Sequence, residues 1–253
     1  MRVTILGSGT SHGVPMIGCD CAVCRSDNPK NRRTRTSALV QANGRTVLID
    51  TPPELRVQAL ANGLRHVDAV FITHTHADHI FGMDDVRRFN DISGAEMPIY
   101  GDRRTLKDIR RIFRYIFVKT QQGGGKPRVV LHEVAEDFEL FGMRVQSMRV
   151  WHGKLAIRAF RFDDFAYVTD VNRIAPRTMA RLHDLKLLVL DAVRLEPHAT
   201  HYGLYEALDV IAKLRPERAL ITHISHRMDH DTVSRLLPPG VELAYDGQVI
   251  ELA

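Results

Sequence analysis

The sequence lacks the features that mark membrane, secreted and low-complexity proteins. None of its apolar runs approaches the roughly 18 residues that a bilayer-spanning helix needs. The first ten residues, MRVTILGSGT, have neither the long apolar segment nor the cleavage site of a signal peptide. Cysteine occurs only three times, and no repeat or proline-rich linker divides the chain. We therefore expect a folded protein in the cytoplasm, with reduced cysteines and no membrane association.

The charge balance is basic but not strongly segregated. The 253 residues are 44% hydrophobic and carry a formal net charge of +5, with a pI of about 9.3. Arginines concentrate in Lys30–Arg35 and along Arg103–Arg114, which would suit phosphate groups or nucleic acid. Acidic residues are interleaved throughout, so a solvated surface is the favoured interpretation. Nucleic acid stays a possible partner but is not favoured.

Strand and helix patterns alternate from end to end, which predicts one α/β domain spanning residues 1–253. A strand runs from Arg2 to Gly9, and an Asn43-Gly44 turn indicates a hairpin. A last hairpin is expected to end at Leu252. The other main predicted elements are helices at Pro52–Gly63, Thr105–Phe117, Pro176–Leu182 and Gly203–Leu214, and strands at Asp68–His74 and Arg218–Ser225.

One short segment, ITHTHADHIFG, is unusually rich in metal-binding side chains. The six residues His74–His79 contain three histidines and an aspartate. Adjacent residues cannot all point at one ion, so two ions sharing the segment give the simpler geometry. His152, Asp170 and His223 each follow a predicted strand. Because strand ends meet at one edge of a sheet, these residues are expected to converge there.

The residues divide into two ligand sets with one shared member. Asp170 has two carboxylate oxygens and can bridge two ions. A set of this chemistry suits zinc, manganese or iron better than magnesium. Two ions about 3.5–4 Å apart would activate a bridging water for hydrolysis. The predicted sets are His74, His76 and His152 for the first ion, and Asp78, His79 and His223 for the second.

The motif HTHADH, followed in order by His152, Asp170 and His223, resembles the metallo-β-lactamase superfamily of hydrolases. The likeness covers nearly the whole chain, because TILGSGTS is similar to the first strand of the family and VLIDT to its aspartate-bearing strand. The resemblance implies a four-layer αββα sandwich with the metals at the edge between the two sheets.

Three cysteines, Cys19, Cys21 and Cys24, form the pattern C-x-C-x₂-C. In a reduced compartment this spacing favours thiolate ligation of a zinc ion, which needs a fourth ligand. His226 is the candidate for that position. The alternatives are His12, His230 or a water as the fourth ligand, or three thiols that bind no metal and act as unrelated groups or a redox pair.

The cysteine pattern resembles the PhnP-like branch of the superfamily. Two longer segments share this likeness, ILGSGTSHGVPMIGCDCAVC and THADHIFGMDDVRRF. That branch combines a dimetal site with a structural zinc held by early cysteines and a late histidine. The resemblance implies hydrolysis of a small phosphodiester, such as a 1,2- or 2′,3′-cyclic ribose phosphate. It also implies two catalytic divalent metals (Mn or Zn) and one structural Zn. A homodimer is common in this branch, but the sequence does not indicate the oligomeric state.

The segment LEPHATHYGLYEAL supplies a further candidate group, His201. In PhnP-like enzymes and in tRNase Z a histidine at the matching position contacts the phosphate, and an imidazole can protonate a leaving oxygen near neutral pH. Asp191 resembles the acidic residue that orients this histidine in tRNase Z, although a loop-capping role would explain it equally. His198 is a competing candidate. The catalytic set is thus His201, Asp191 and the ligand Asp78.

Three other functions share parts of this pattern. tRNase Z has the same dimetal motif but needs an inserted arm, and too few residues separate YVTD from the helix at Pro176. Lactone or β-lactam hydrolysis would leave His201 without a role. A non-enzymatic metal-binding sensor would be expected to lack ligands, whereas all seven are present.

Overall fold

A computed structural model of the chain describes residues 1–119 and 125–253. Its strands are β1 (Arg2–Gly7), β2 (Ser37–Ala42), β3 (Arg45–Ile49), β4 (Ala69–Phe71), β5 (Met97–Gly101), β6 (Val129–Glu133), β7 (Asp137–Leu140), β8 (Met143–His152), β9 (Leu155–Phe162), β10 (Phe165–Val168), β11 (Leu187–Asp191), β12 (Arg218–Thr222), β13 (Val241–Leu243) and β14 (Val249–Glu251). Its α-helices are α1 (Leu55–Ala61), α2 (Ala77–Ile80), α3 (Val86–Ser93), α4 (Arg103–Ile112), α5 (Arg114–Phe117), α6 (Pro176–Ala180), α7 (Leu204–Leu214) and α8 (His230–Ser234).

Within these residues the strands form two mixed sheets. The first has the order β14-β1-β2-β3-β4-β5-β6, and the second β13-β12-β11-β10-β9-β8-β7. In the first sheet the strands from β3 to β6 are parallel, and in the second those from β10 to β13 are parallel. The carboxyl ends of these parallel strands are where α/β proteins place their functional loops.

Alternating side chains on the strands fill three apolar layers. Between the sheets, the ring of Phe71 on β4 packs edge-on against Phe160 on β9, with ring centroids 5.1 Å apart. Helices α1 to α5 cover the outer face of the first sheet, and α6 to α8 cover that of the second. Helix α7 does so with Leu204, Ala207, Ile211 and Leu214, spaced to lie on one face. The predicted four-layer αββα sandwich is confirmed. No helix in the described ranges has both the length and the apolarity to span a bilayer.

The predicted last hairpin is wrong. Strand β13 joins the second sheet, parallel to β12, whereas β14 joins the first sheet, antiparallel to β1. Backbone hydrogen bonds from Ala244 to Ile221 and from Gly247 to Ile5 carry the chain from one sheet to the other. Two strands separated by a turn give the same local pattern in either arrangement, so only long-range pairing distinguishes them.

The helix predicted at Thr105–Phe117 begins earlier and is broken. The side chain of Asp102 caps α4 by accepting a 2.9 Å hydrogen bond from the amide of Thr105. Phe113 leaves the helical conformation between α4 and α5. Ile109, Phe113 and Ile116 are buried as the spacing predicts, whereas Ile112, a member of the same predicted apolar face, is exposed. Strand β6 was not predicted. Strand β6 is the edge strand of its sheet and is largely unburied, so its pattern is weak.

Three aspartate or histidine residues lie one or two positions after a strand, in the left-handed backbone region. The φ angles are +61° at Asp50 after β3, +56° at Asp170 after β10 and +60° at His223 after β12. Non-glycine residues seldom adopt this conformation, and such strain clusters at functional sites. The three turns occur at the sheet edge described next.

Candidate metal centre

The first group of potential ligands combines the ends of strands β4, β8 and β10. One ligand atom from each of His74, His76, His152 and Asp170 lies within 4.8 Å of the others. His152 is the last residue of β8, and His74 and His76 precede the short helix α2. This is the set predicted for the first ion, joined by the predicted bridging residue.

The second group shares Asp170 and adds Asp78, His79 and His223, again with ligand atoms within 4.8 Å of one another. Nε2 of His79 lies 3.3 Å from Oδ1 of Asp170, and Nε2 of His223 lies 3.3 Å from Oδ2. Nε2 of His74 is 3.9 Å from that same Oδ2. The carboxylate of Asp170 therefore lies between the two groups, as a bridging ligand must.

Hydrogen bonds at the far ring nitrogens orient the imidazoles. Nδ1 of His152 lies 2.8 Å from the carbonyl oxygen of Thr200, and Nδ1 of His79 lies 2.7 Å from Oδ2 of Asp50. Partners of this kind fix the tautomer that leaves Nε2 free to bind a metal. Among the described residues, the buried Nε2 atoms of His74, His79 and His223 have no hydrogen-bond partner.

The charges at the centre favour a bound cation. Burial raises the pKa of Asp170, but His223 and His79 outweigh it and hold that pKa well below its ordinary value. Burial lowers the pKa of His223, yet Asp170 and Asp78 raise it to about 9. Burial and neighbouring imidazoles keep the pKa of His74 well below its ordinary value, so its imidazole is neutral. Two anionic carboxylates among imidazoles with free nitrogens fit divalent transition metals.

A third group borders the second. Nδ1 of His201 lies 3.1 Å from Oδ2 of Asp191, and Oδ1 of the same carboxylate lies 3.6 Å from Nδ1 of His223. The rings of His201 and His223 are stacked, with centroids 4.8 Å apart and planes 17° apart. His201 is 8% exposed and Asp191 is fully buried. His198, the competing candidate, is 5.2 Å from His201 between centroids and contacts Thr200 instead of Asp191.

A separate cluster brings together Cys19, Cys21, Cys24 and His226. Nδ1 of His226 lies 3.2 Å from Sγ of Cys19 and 3.4 Å from Sγ of Cys21. In a tetrahedral zinc site the corresponding sulfur–nitrogen edge is about 3.5 Å, given ordinary Zn–S and Zn–N bond lengths. The donor set and its spacing therefore fit a structural zinc.

Thiolate character is unevenly distributed in this cluster. Hydrogen bonds from the amide of Cys24 and from His226 lower the pKa of Cys21 to about 6. Burial raises the pKa of Cys24 to about 11. The alternative fourth ligands lie elsewhere: His12 is exposed, and Nδ1 of His230 faces Nη2 of Arg33 at 3.1 Å.

The orienting residues Asp50, Thr73 and Thr200 were missed from the sequence. Oδ1 of Asp50 accepts a hydrogen bond from the amide of Thr73, and Oδ2 accepts one from its hydroxyl, both of 2.8 Å. The segment VLIDT resembles a strand of the family, and that resemblance alone gives its aspartate no role. Its position directly after a β-rich run, like that of Asp170, was the available signal.

Comparison with known proteins agrees with this geometry. A family model described as "Beta-lactamase superfamily domain" matches residues 45–224. An octanoyltransferase of Porphyromonas gingivalis is 36% identical over 252 residues, covering 98% of this chain and 51% of the relative. Coenzyme PQQ synthesis protein B of Methylobacterium radiotolerans is 35% identical over 129 residues, covering 45% of this chain and 42% of the relative. The chain spans about half the length, or less, of these curated relatives.

Solved structures extend the match. The crystal structure of a diphosphatase from the PhnP family superposes with a TM-score of 0.93 at 43% identity, covering 100% of this chain and 98% of the other. Short-form human tRNase Z superposes with a TM-score of 0.72 at 18% identity over the whole of both chains, which shows a shared fold alone. The matched domain and the full-length likeness lead to one assignment: the chain belongs to the metallo-β-lactamase superfamily of hydrolases and, within it, to the PhnP family.

Proposed function

We propose that the protein is a dimetal phosphodiesterase that hydrolyses a small phosphodiester, with a cyclic ribose phosphate as the leading substrate class. His74, His76 and His152 would hold one ion, Asp78, His79 and His223 the other, and Asp170 both. Two such ions, when bound, supply Lewis acidity and a water nucleophile. Zinc and manganese both suit this donor set.

The observation that carries the proposal is the contact between His201 and Asp191. The buried carboxylate of Asp191 accepts a hydrogen bond from Nδ1 of His201 at 3.1 Å. Nε2 of His201 is therefore left to face the substrate. His201 packs against His152 and His223, with centroid distances of 4.6 and 4.8 Å, so it borders both ligand groups. In its doubly protonated form, an imidazole held there can donate the Nε2 proton to the oxygen that leaves phosphorus and become neutral. Asp191 positions it.

The ligand Asp78 also carries a catalytic role in this proposal, because its carboxylate lies beside both imidazoles of the second group. Oδ2 of Asp78 lies 3.4 Å from Nε2 of His79 and 3.6 Å from Nε2 of His223. Burial raises the pKa of Asp78, but both histidines act against it and the pKa falls below its ordinary value. An anionic Asp78 would hold the second ion at neutral pH.

A second candidate is hydrolysis of a diphosphate anhydride, because the solved structure at 43% identity is named a diphosphatase. The same groups would serve, since both reactions displace an oxygen from phosphorus. A tRNase Z-like activity is less well supported. The connection from β10 to α6 is short, Thr169–Ala175, and offers no arm for gripping tRNA.

The cluster of Cys19, Cys21, Cys24 and His226 is proposed to hold a structural zinc. It would tie the N-terminal loop to the segment that follows β12. Bridging contacts of Gly9 with Ile224 join the same two segments. A homodimer, common in the PhnP-like branch, and a cytoplasmic location, expected from the sequence, remain predictions.

A hydrolysis panel on metal-reconstituted protein tests the function. The substrates are 2′,3′-cyclic AMP, a 1,2-cyclic ribose phosphate, bis(p-nitrophenyl) phosphate, ADP-ribose, pre-tRNA and a lactone. A higher kcat/KM for the cyclic esters than for the other substrates supports the proposal. A higher kcat/KM for ADP-ribose would instead support the diphosphatase activity. Lactone turnover without phosphoester turnover would reject both. Asp170→Ala serves as the inactive control.

A further inference from the structure

A cavity of about 460 Å³ lies beside strand β8 and shares no lining residue with the metal centre. Strand β7 pairs only with the first part of β8, up to Gln146. Beyond it the amide of Ser147 donates to the carbonyl oxygen of Glu136 and Trp151 pairs with Arg173, so among the described residues no strand covers residues 148–150 on that edge. Helix α6 lies beyond that edge. The volume falls in the range of small-molecule sites. Four arginines and one carboxylate line it: Arg149, Arg158, Arg177, Arg181 and Glu136.

The arginines retain free donors after their protein contacts are counted. Arg158 contacts Asp102 through Nε, and Arg177 contacts Glu136 through Nη2. Arg181 uses Nη2 on Asp137 and on the carbonyl oxygen of Glu136, and its Nη1 lies 3.9 Å from Oε2 of Glu136. The guanidinium of Arg149 has no carboxylate within 4.0 Å among residues 1–119 and 125–253. Because each guanidinium has five N–H groups, most of them remain for an anion.

A buried hydroxyl gives an independent sign of a ligand. Ser147 lines the cavity and is 1% exposed, yet its Oγ has no hydrogen-bond partner within the part of the chain that the structure describes. Buried polar groups without partners are uncommon and call for an explanation. The neighbouring hydroxyl of Thr178, in contrast, donates a 2.8 Å hydrogen bond to the carbonyl oxygen of Arg149.

The cavity wall adjoins the metal centre. Trp151 lines the cavity and precedes the ligand His152 along β8. The backbone amide of Arg158 donates a 3.0 Å hydrogen bond to the carbonyl oxygen of Thr73, the residue before the ligand His74. Trp151 is therefore adjacent in sequence to one proposed ligand, and Arg158 is hydrogen-bonded to the residue that precedes another.

We propose that this cavity binds a phosphate group of a small molecule through the free N–H groups of its arginines and the hydroxyl of Ser147. Two sources share this chemistry. One is a second phosphate on the substrate, whose ester is hydrolysed at the metals; this source rests on the proposed function. The other is a separate phosphorylated effector, whose binding is independent of it.

Tryptophan fluorescence tests binding directly, because Trp151 is the single tryptophan of the chain. Titration of the metal-loaded protein with inorganic pyrophosphate is expected to give a saturable change in emission. The double variant Arg149→Gln/Arg177→Gln should weaken the apparent affinity about tenfold or more, as expected for lost hydrogen bonds to a charged group. Calorimetric titrations alongside detect binding that leaves the fluorescence unchanged.

The matched control is Arg104→Gln/Arg114→Gln, which removes the same charge from exposed positions on α4 and α5. It should bind like the wild type, as should His201→Ala if the signal comes from the cavity. Wild-type protein that shows no binding by either method would overturn the proposal. So would equal affinities in the wild type and the cavity variant.

Kinetics then separate the two sources. With 2′,3′-cyclic AMP and its 5′-phosphorylated form as substrates, a second-phosphate site predicts that the cavity variant raises KM about tenfold for the latter alone. An effector site predicts that pyrophosphate changes kcat on bis(p-nitrophenyl) phosphate in the wild type and not in the variant. If no ester is hydrolysed, the proposed function fails while the binding result stands by itself.

Discussion

Asp50 and His79 form a buried hydrogen-bonded pair, with Oδ2 of the carboxylate 2.7 Å from Nδ1 of the imidazole and neither side chain exposed. The same carboxylate accepts two hydrogen bonds from Thr73. It thus fixes the ring of a proposed ligand and the loop that leads to His74. Orienting groups of this kind contribute to metal affinity although they do not touch the metal.

Asp50→Asn is therefore expected to weaken metal binding. The amide has one acceptor oxygen where the carboxylate uses two, so at least one of the three donors loses its partner. We expect metal affinity at the catalytic pair to fall about 10–100-fold, measured by competition with a chromogenic chelator. Asp68→Asn is the matched control, because that carboxylate accepts from Thr46 and Arg45 away from the centre. Unchanged affinity in Asp50→Asn would contradict the orienting role.

The orienting role of Asp50 is not predictable from the sequence, whereas the ligand set is. The ligand residues could be predicted because histidines and aspartates crowd one segment and recur after three later strands. The orienting contacts could not, because they join Asp50 to His79 and His152 to Thr200 across long stretches of sequence. The local sequence pattern does not indicate which distant segments come into contact. The same limitation explains why β13 and β14 were assigned to one hairpin.

The fold was predictable mainly through the motif and not through periodicity. Strand alternation and the spacing in α7 indicate an α/β protein, but two stacked sheets and one mixed sheet with helices share those patterns. The order HTHADH, His152, Asp170, His223 resolved the choice because it resembles one family. The cavity beside β8 had no sequence signal, since Arg149, Arg158 and Arg177 are scattered along the chain.

Metal content tests the role of Asp170. Fully loaded wild-type protein should contain two catalytic transition-metal ions and one zinc per chain. Asp170→Ala removes the carboxylate that lies between both ligand groups, so at least one catalytic ion should be lost while the cysteine-bound zinc remains. Elemental analysis after gel filtration measures both. A single ion per chain in the loaded wild type would rule out the dimetal proposal.

The cysteine cluster should contribute to stability and not to catalysis. Cys21→Ser replaces the thiol whose pKa is lowered to about 6, and with it a zinc ligand. Because structural zinc binding contributes folding free energy, the variant should lose zinc and unfold at a lower temperature. Catalytic metals should stay bound in the folded fraction. Calorimetric melting with zinc analysis checks this, and wild-type values for both would show that the cluster holds no structural metal.

Acid sensitivity is expected at His230. Burial and the adjacent Arg33 and Lys30 lower its pKa to about 4, from about 6.5. The unfolded chain therefore binds a proton more readily, so stability is complete above about pH 6.5 and is lost as the pH falls towards 4. With allowance for solvent screening, the loss between pH 7 and 4.5 is about 1–2 kcal/mol.

His230→Gln should make the free energy of unfolding less dependent on pH in this window, because glutamine does not titrate and its Oε1 can still accept from Arg33. Urea unfolding at pH 7 and 4.5 measures the difference. Protonation of zinc ligands affects wild type and variant alike and cancels in the comparison. Equal pH dependence in the two proteins would show that His230 is not a source of the acid sensitivity.

His201 should act on the leaving group and not on metal binding. His201→Ala keeps every proposed ligand, so metal content should be unchanged. General acid–base groups typically contribute about 10²–10⁴-fold, and we expect kcat to fall by that factor on a diester with an alkoxide leaving group. A p-nitrophenolate leaving group needs little protonation, so its rate should fall less. His198→Ala is the matched control, since its ring lies 5.2 Å from His201 and has no contact with Asp191.

Equal losses on both substrates would indicate phosphate binding in place of acid catalysis. Unchanged rates on both would exclude His201 from the mechanism and remove the observation on which the phosphodiesterase proposal rests.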